Sequence, residues 1–275
     1  MVHPLSSLRG SSAEALHDLG DRLDSGSLTE EQYATLGSDL FGVAALLRSE
    51  PALRRTVTDV STAAEAKSSL ARQLLDGKVS GPAVDLVADA VAKRWVAARD
   101  LADTLEHLGA VAVVRSAGRE AAGRLSDELF VVGQTVEANP ELGTALSDPQ
   151  RSASDKAGLL RALLASRVLP ATMTLAEQAL SGSHRSFGAA IGEYQKVAAA
   201  TYGEGVALVT AARELTDAEQ ERLARALSAQ YDRPIHLNLE VDRSLLGGLR
   251  VEIGDDVIDG TVLARLDEAR RRLAG

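Results

Sequence analysis

The 275-residue sequence contains no cysteine. Disulfides, thiolate nucleophiles, cysteine-ligated zinc and iron–sulfur clusters are thereby excluded, and a reducing compartment suits the chain. Aromatic residues are scarce, with one Trp, four Tyr and three Phe, so the core has to be assembled from aliphatic side chains. Long apolar runs are missing as well. Val43 to Leu47 and Ala110 to Val114 fall far short of the roughly 20 residues that span a bilayer. Met1 to Gly10 lacks the apolar stretch of a signal peptide. The chain is expected to be soluble by itself, with any membrane association coming through a partner and no direct insertion. An excess of basic charge is the last absence. The formal net charge is −9, divided as −5 over residues 1–109, 0 over 110–202 and −4 over 203–275. No segment offers a polyanion the surface it needs, which argues against nucleic acid as a partner.

Ala (46) and Leu (41) make up about a third of the residues, far above ordinary usage, and both favour helices. Under that bias lies a repeat. A shift of 89 residues places Leu40-Phe41 on Leu129-Phe130, Pro51 on Pro140, Asp59 on Asp148, Lys67 on Lys156 and Leu74-Leu75 on Leu163-Leu164. From Asp39 to Val79 there are 13 identities in 41 positions, where composition alone gives roughly three to four. The shift also carries Leu16 and Leu19 onto Leu105 and Leu108, so the repeat begins near Ser11.

Within each copy the apolar residues recur at helical spacing, as in Leu36, Leu40, Val43 and Leu47. Helices are expected near 11–24, 29–49, 51–57, 62–76, 81–93 and 95–109. Ser11 to Glu14, Thr29 to Gln32 and Thr62 to Glu65 read as capping boxes at their starts. The second copy repeats the set from about 100 to 201. The stretch from Trp95 to Gly109 is a candidate to serve both copies, closing the first and opening the second.

From Tyr202 the period changes. Gly205 to Ala212 suits a strand, and Thr216 to Glu219 opens a helix reaching about Tyr231. Ile235 to Asp242 and Leu249 to Gly254 then alternate apolar and polar residues, as strands with one buried face do. Gly254-Asp255-Asp256 reads as a hairpin turn, and Asp259-Gly260-Thr261 as the start of a last helix with the stripe Val262, Leu266, Ala269 and Leu273. The fold class is therefore mainly α with a small α+β C-terminal domain. It divides into a helical bundle over 1–99, its repeat over 100–202, and a strand–helix–strand–strand–helix domain over 203–275.

The run Leu246-Gly247-Gly248-Leu249-Arg250-Val251-Glu252-Ile253-Gly254-Asp255-Asp256-Val257-Ile258-Asp259-Gly260-Thr261, followed by Leu263-Ala264-Arg265-Leu266, closely resembles the signature of the ATP synthase delta subunit family, called the oligomycin-sensitivity-conferring protein in mitochondria. Val209 to Asp242 resembles the strand–helix–strand before it, and Asn139-Pro140-Glu141-Leu142 a motif of the family's helical bundle. The resemblance covers roughly residues 100–275. The chain departs from the common bacterial pattern in carrying a second bundle in front, as the longer actinobacterial delta chains do. With no apolar span at its start, it does not read as the form fused to a membrane-anchored b-type subunit. It also lacks the Tyr of the family's Tyr-Ala-x-Ala-Leu, at both Ala13 to Leu16 and Ala102 to Leu105.

The resemblance implies a non-catalytic stator subunit of an F-type ATP synthase at the cytoplasmic face of the plasma membrane. Its bundle would hold the N-terminal helices of the alpha subunits, and its C-terminal domain the end of the peripheral-stalk b subunit. The catalytic head would thereby be kept from turning with the rotor. Leu101, Leu105, Leu108 and Leu175, in the copy that occupies the family's usual place, are the candidate groove for alpha. Gly247, Gly248, Arg250, Gly254, Asp259 and Gly260 form the C-terminal motif, either structural or stalk-binding. The extra first copy would bind another alpha helix or brace the stalk.

Chemistry elsewhere is sparse. His3, His17, His107, His184 and His236 lack the spacing of a metal pair. Asp255, Asp256 and Asp259 lack the oxygen spacing of a calcium loop. There is no phosphate-binding Gly-x-x-x-x-Gly-Lys-Ser/Thr loop, and Ser181 to Ser183 lack a nucleophile's context. No cofactor is implied. Trp95 reads as a packing residue on a helix, and Arg270 to Arg272 complement a helix C-terminus or bind the stalk. A helical adaptor unrelated to the synthase would account for the repeat but not for the C-terminal signature.

Overall fold

A computed structural model describes residues 8–164, 167–181, 183–253 and 256–262. The chain divides after Thr201 into two compact units.

The first unit is helical: α1 (Ser11–Ser25), α2 (Glu30–Ser49), α3 (Pro51–Thr58), α4 (Ala64–Leu75), α5 (Gly81–Ala92), α6 (Ala98–Ser116), α7 (Ala122–Glu137), α8 (Pro140–Ser147), α9 (Ala153–Leu164), α10 (Pro170–Gln178) and α11 (Phe187–Thr201). The 89-residue offset survives in three dimensions. Helices α3, α4, α5 and α6 begin 89 residues before α8, α9, α10 and α11. Packing repeats too, since α2 lies on α6 as α7 lies on α11, and α1 on α5 as α6 on α10. Helix α6 is thus the last helix of the first copy and the first helix of the second. It touches α1, α2, α3 and α5 on one side of the sequence and α10 and α11 on the other, and fourteen of its nineteen residues are buried.

The α2–α6 crossing is close because glycine stands at the contact on both helices. A Cβ at Gly37 would lie 2.5 Å from Val113, and one at Gly109 2.8 Å from the ring of Phe41. Leu36, Leu40, Val43 and Leu47 of α2 close over that contact, each almost fully buried, and each such side chain contributes on the order of 2 kcal/mol. Acidic residues of the second helix in each copy cap the fifth. The Ser80 N–H donates to Asp39 at 2.8 Å, and the Leu169 N–H donates to Glu128 at 2.7 Å. Asp39 and Glu128 are 89 residues apart, as are Ser80 and Leu169.

Three local expectations need correction. Helix α1 is preceded by Gly10 without a side-chain cap, because the helix already begins at Ser11, the expected cap; the Ser12 hydroxyl is engaged far away, donating to Asp100 at 2.7 Å and accepting from the Val96 N–H at 2.8 Å. Helix α4 starts after Ala63 rather than in a capping box at Thr62, the chain being turned beforehand by Asp59, which accepts from the Ser61 N–H at 2.8 Å. Trp95 sits in the connection between α5 and α6, buried, with its indole N–H donating to the Ala90 carbonyl at 3.0 Å.

The second unit opens with β1 (Gly205–Ala211), continues through α12 (Asp217–Tyr231) to β2 (Ile235–Val241), and forms a hairpin of β3 (Leu249–Ile253) and β4 (Asp256–Asp259). The sheet order is β2-β1-β3-β4, with β1 and β2 parallel and the other neighbours antiparallel. Thr216 and Glu219 make the capping box of α12. Ala207, Val209, Leu227, Ile235, Val251 and Ile253 form the core. Strand β4 is an addition to the expected topology. All four of its residues are exposed, so it carries no alternation to read. In β2 the expected pattern holds at Ile235, but Asn238 is buried and Val241 is 42% exposed. Ile253 pairs with Asp256, which leaves two residues for the turn. The last helix, with Arg270 to Arg272, lies beyond the described residues save for Val262.

Candidate functional site

Three features of the described residues could do work: a buried ionic junction, an apolar groove, and the β3–β4 hairpin end.

The junction is built on Glu106, in the middle of α6 and almost fully buried. One of its oxygens accepts from Ser183 Oγ at 2.6 Å, Gln178 Nε2 at 2.9 Å and the Tyr194 hydroxyl at 3.1 Å. The other lies 2.5 Å from Arg48 Nη2, which also reaches Asp103 at 2.9 Å. Arg48 belongs to the first copy, whereas Gln178, Ser183 and Tyr194 belong to the second. Burial pushes the Glu106 carboxyl up, but the hydrogen bonds from Ser183 and Gln178 and the Arg48 charge outweigh it and hold the group below its usual range. Burial and the neighbouring carboxylate push the Tyr194 phenol up. Beside this network is a cavity of about 180 Å³ that includes His107 and His184 in its lining. Sequence reasoning passed over Glu106 and Arg48, because charges on an Ala/Leu-rich helix ordinarily mark its solvent face. The only available signal was Glu106 lying between Leu105, His107 and Leu108 on a helix with no polar face to spare.

The groove lies between α2, α3, α4 and α5, with a volume of about 230 Å³. Its floor includes Val43, Leu47 and Val57, while Leu46 and Leu74 stand 42% and 40% exposed at its edge and Lys78 is the one charged residue lining it. An open apolar trough of this kind suits the hydrophobic stripe of a helix. The leucines expected to form such a groove lie elsewhere. Leu101, Leu105 and Leu108 are fully buried because α6 is covered by both copies, and Leu175 is fully buried on α10, which packs against α6 and α7.

The hairpin end brings the C-terminal motif together. Gly247 and Gly248 have φ of 144° and 85°, values that favour glycine. A Cβ on Gly248 would collide with the Gly260 carbonyl and lie 2.8 Å from the Thr261 Cα. The Gly260 N–H donates to the Leu249 carbonyl at 2.9 Å, and the Val262 N–H to the Gly247 carbonyl at 3.0 Å. Asp259 pairs across the hairpin with Arg250 and accepts from the Thr261 N–H at 3.0 Å and hydroxyl at 2.7 Å, which holds its carboxyl below the usual range. Gly254 lies outside the described residues. Among those described, no group of three or more His, Asp or Glu is placed to hold a metal ion.

The fold is thus a helical repeat with an open apolar trough, followed by a small mixed-sheet unit whose motif knots one hairpin end. The chain belongs to the ATP synthase delta (OSCP) subunit family, whose family model matches residues 110–273. That match begins inside α6 and so covers the second copy and the C-terminal unit. The first copy is shared with full-length relatives. An ATP synthase subunit delta of a Nocardioides species is 72% identical over 275 residues, the whole of both chains. That of Streptomyces coelicolor is 42% identical over 277 residues, covering 98% of this chain and all of the relative. That of Kineococcus radiotolerans is 46% identical over 242 residues, or 87% of each chain. Family membership removes the reading of an unrelated helical adaptor.

Proposed function

We propose that this chain is the stator subunit that ties the catalytic head of an F-type ATP synthase to its peripheral stalk. The observation that carries the reading is identity to an ATP synthase subunit delta along its whole length. The role is mechanical and non-catalytic. The helical unit holds N-terminal helices of the alpha subunits, and the C-terminal unit holds the end of the b subunit. The two copies of the repeat, over 1–99 and 100–202, act as one helical body in this reading, braced through the helix they share. The complex sits at the cytoplasmic face of the plasma membrane. Among the described residues no helix is long and apolar enough to cross a membrane, so the chain would be held there by its partners.

The experiment is co-purification of the tagged chain from detergent-solubilised membranes. Recovery with alpha and b subunits supports the reading. Recovery of an intact synthase that lacks the chain overturns it. Within the C-terminal motif we read the Gly247-Gly248 pair as structural, given how closely Gly248 meets the backbone of Gly260 and Thr261. Gly248→Val should then lower the thermal stability of the C-terminal unit. Unchanged stability with lost b binding would instead give the pair to the partner.

A further inference from the structure

The sequence holds two Asp-Gly pairs, Asp76-Gly77 and Asp259-Gly260, and no Asn-Gly pair. A glycine after aspartate leaves its backbone nitrogen open to the aspartate side chain, because no Cβ stands in the way. The two pairs share that intrinsic chemistry, so a difference between them has to come from the fold. At Asp259-Gly260 both groups are occupied. Asp259 accepts from the Thr261 N–H at 3.0 Å and from its hydroxyl at 2.7 Å, and the Gly260 N–H donates to the Leu249 carbonyl at 2.9 Å. At Asp76-Gly77 neither group is occupied. The pair is exposed in the turn that follows α4, and Gly77 has φ of 67° with nothing within 4 Å of where a Cβ would stand. Hydrogen bonds run past it on both sides, from the Asp76 N–H to the Arg72 carbonyl and from the Lys78 N–H to the Leu75 carbonyl, each at 2.9 Å. Among the described residues, the Asp76 carboxylate and the Gly77 N–H make none.

We propose that Asp76 is a site of spontaneous isoaspartate formation in the folded protein, and that the fold shields Asp259 from the same reaction. The Gly77 backbone nitrogen attacks Cγ of Asp76 in its carboxylic acid form. A C–N bond forms, and the carboxyl OH leaves with the nitrogen's proton as water, which closes a succinimide ring. Water then adds to the ring. Cleavage at the α-carbonyl leaves the chain running through the former side chain, with the α-carboxylate as the free group. Water is the only co-reactant, and nothing is oxidised or reduced. The product lengthens the main chain by one methylene between α4 and Ser80, whose N–H is held by Asp39. It also falls beside Lys78, at the edge of the apolar groove. In the second copy Ala165-Ser166 occupies the equivalent positions, so the helical repeat carries the reaction once.

The test ages the full chain for weeks at physiological temperature and neutral pH. Isoaspartate is then counted by labelling with an isoaspartyl methyltransferase and S-adenosylmethionine, and placed by peptide mapping. Asp76 should accumulate it roughly tenfold faster than Asp259, because the hydrogen bonds around Asp259 and Gly260 have to open first. In concentrated urea the two rates should converge. Asp76→Glu, which keeps the charge but demands a larger ring, should remove most of the label from the folded chain. Thermal unfolding before ageing checks that this variant is folded. After ageing, wild type should have lost thermal stability that Asp76→Glu keeps. Isoaspartate that appears first at Asp259, or at neither site, overturns the proposal. So does a difference between the sites that persists in urea, since neighbouring sequence and not the fold would then set it.

Discussion

The two copies of the helical repeat solve one packing problem with different residues. In the first, Gly37 and Gly109 let α2 and α6 touch along their backbones, with Phe41 and Val113 seated against the gaps. In the second, the equivalent positions on α7 and α11 hold Ser126 and Ala198, both buried. The requirement is smallness at the crossing rather than glycine itself, and a helix pair carrying Cβ atoms there still closes. The copies differ more sharply in their ion pairs. Arg48 and Glu106, which join one copy to the other, correspond to Glu137 and Gln195, which carry no such pair. The network therefore belongs to the joint and not to the repeat.

Cutting the joint should have the largest effect. Glu106→Ala leaves the half-buried Arg48 with Asp103 alone and strands three donors, and is expected to cost about 3 kcal/mol of stability of the helical unit in denaturant unfolding followed by circular dichroism. The same group predicts a pH dependence. Its carboxyl is held below the ordinary value, so its stabilisation is complete above about pH 4.3 and is lost as pH falls through its lowered native value. The stability gap between wild type and Glu106→Gln should therefore be full at neutral pH and shrink below pH 4.3; a constant gap would assign it to packing alone.

Next comes the crossing. Gly109→Ala drives a Cβ into Phe41 and should cost about 2 kcal/mol, partly recovered by adding Phe41→Leu, whereas Ala198→Gly in the second copy should cost only about 1 kcal/mol. Equal costs would mean that the two crossings are not different in kind. A smaller effect is expected at the helix start. Thr29→Ala removes the capping box of α2 and should cost about 1 kcal/mol in thermal unfolding. Smallest of all is Ser126→Ala. The Ser126 hydroxyl has no hydrogen-bond partner among the described residues, so its loss should leave stability unchanged or raise it by up to about 1 kcal/mol.

Much of the fold was legible because the repeat could be read twice. Pro51 and Pro140 mark the starts of α3 and α8, and Thr29 and Thr216 cap helices where their sequence motifs say they should. Features set by partners distant in the chain were not legible. Ser12 looks like part of a local cap, but its hydroxyl goes to Asp100, 88 residues away. Strand β4 is four exposed residues held by pairing with β3, and apart from the hairpin turn read just before it, nothing in its own pattern announces it. The site was the least legible part. Leu101, Leu105 and Leu108 look like the apolar face of an ordinary amphipathic helix, and only the cover from both copies turns that face inward. The open groove lies on helices whose stripes look no different from those of the core.

The double membership of α6 has a consequence for how the protein could come apart. Domains are usually separated by an exposed linker, where a protease cuts and a hinge flexes. Here the seam between the copies runs through the interior of a buried helix, and the eleven α-helices described in the helical unit serve where two separate sixes would give twelve. A nuclease-like trimming of the gene at residue 92 would not release a spare bundle; it would strip α2 from α6 and leave half of a shared helix facing water. Pulled from its two ends, the helical unit should yield in one step rather than in two, which is the mechanical property a strut needs.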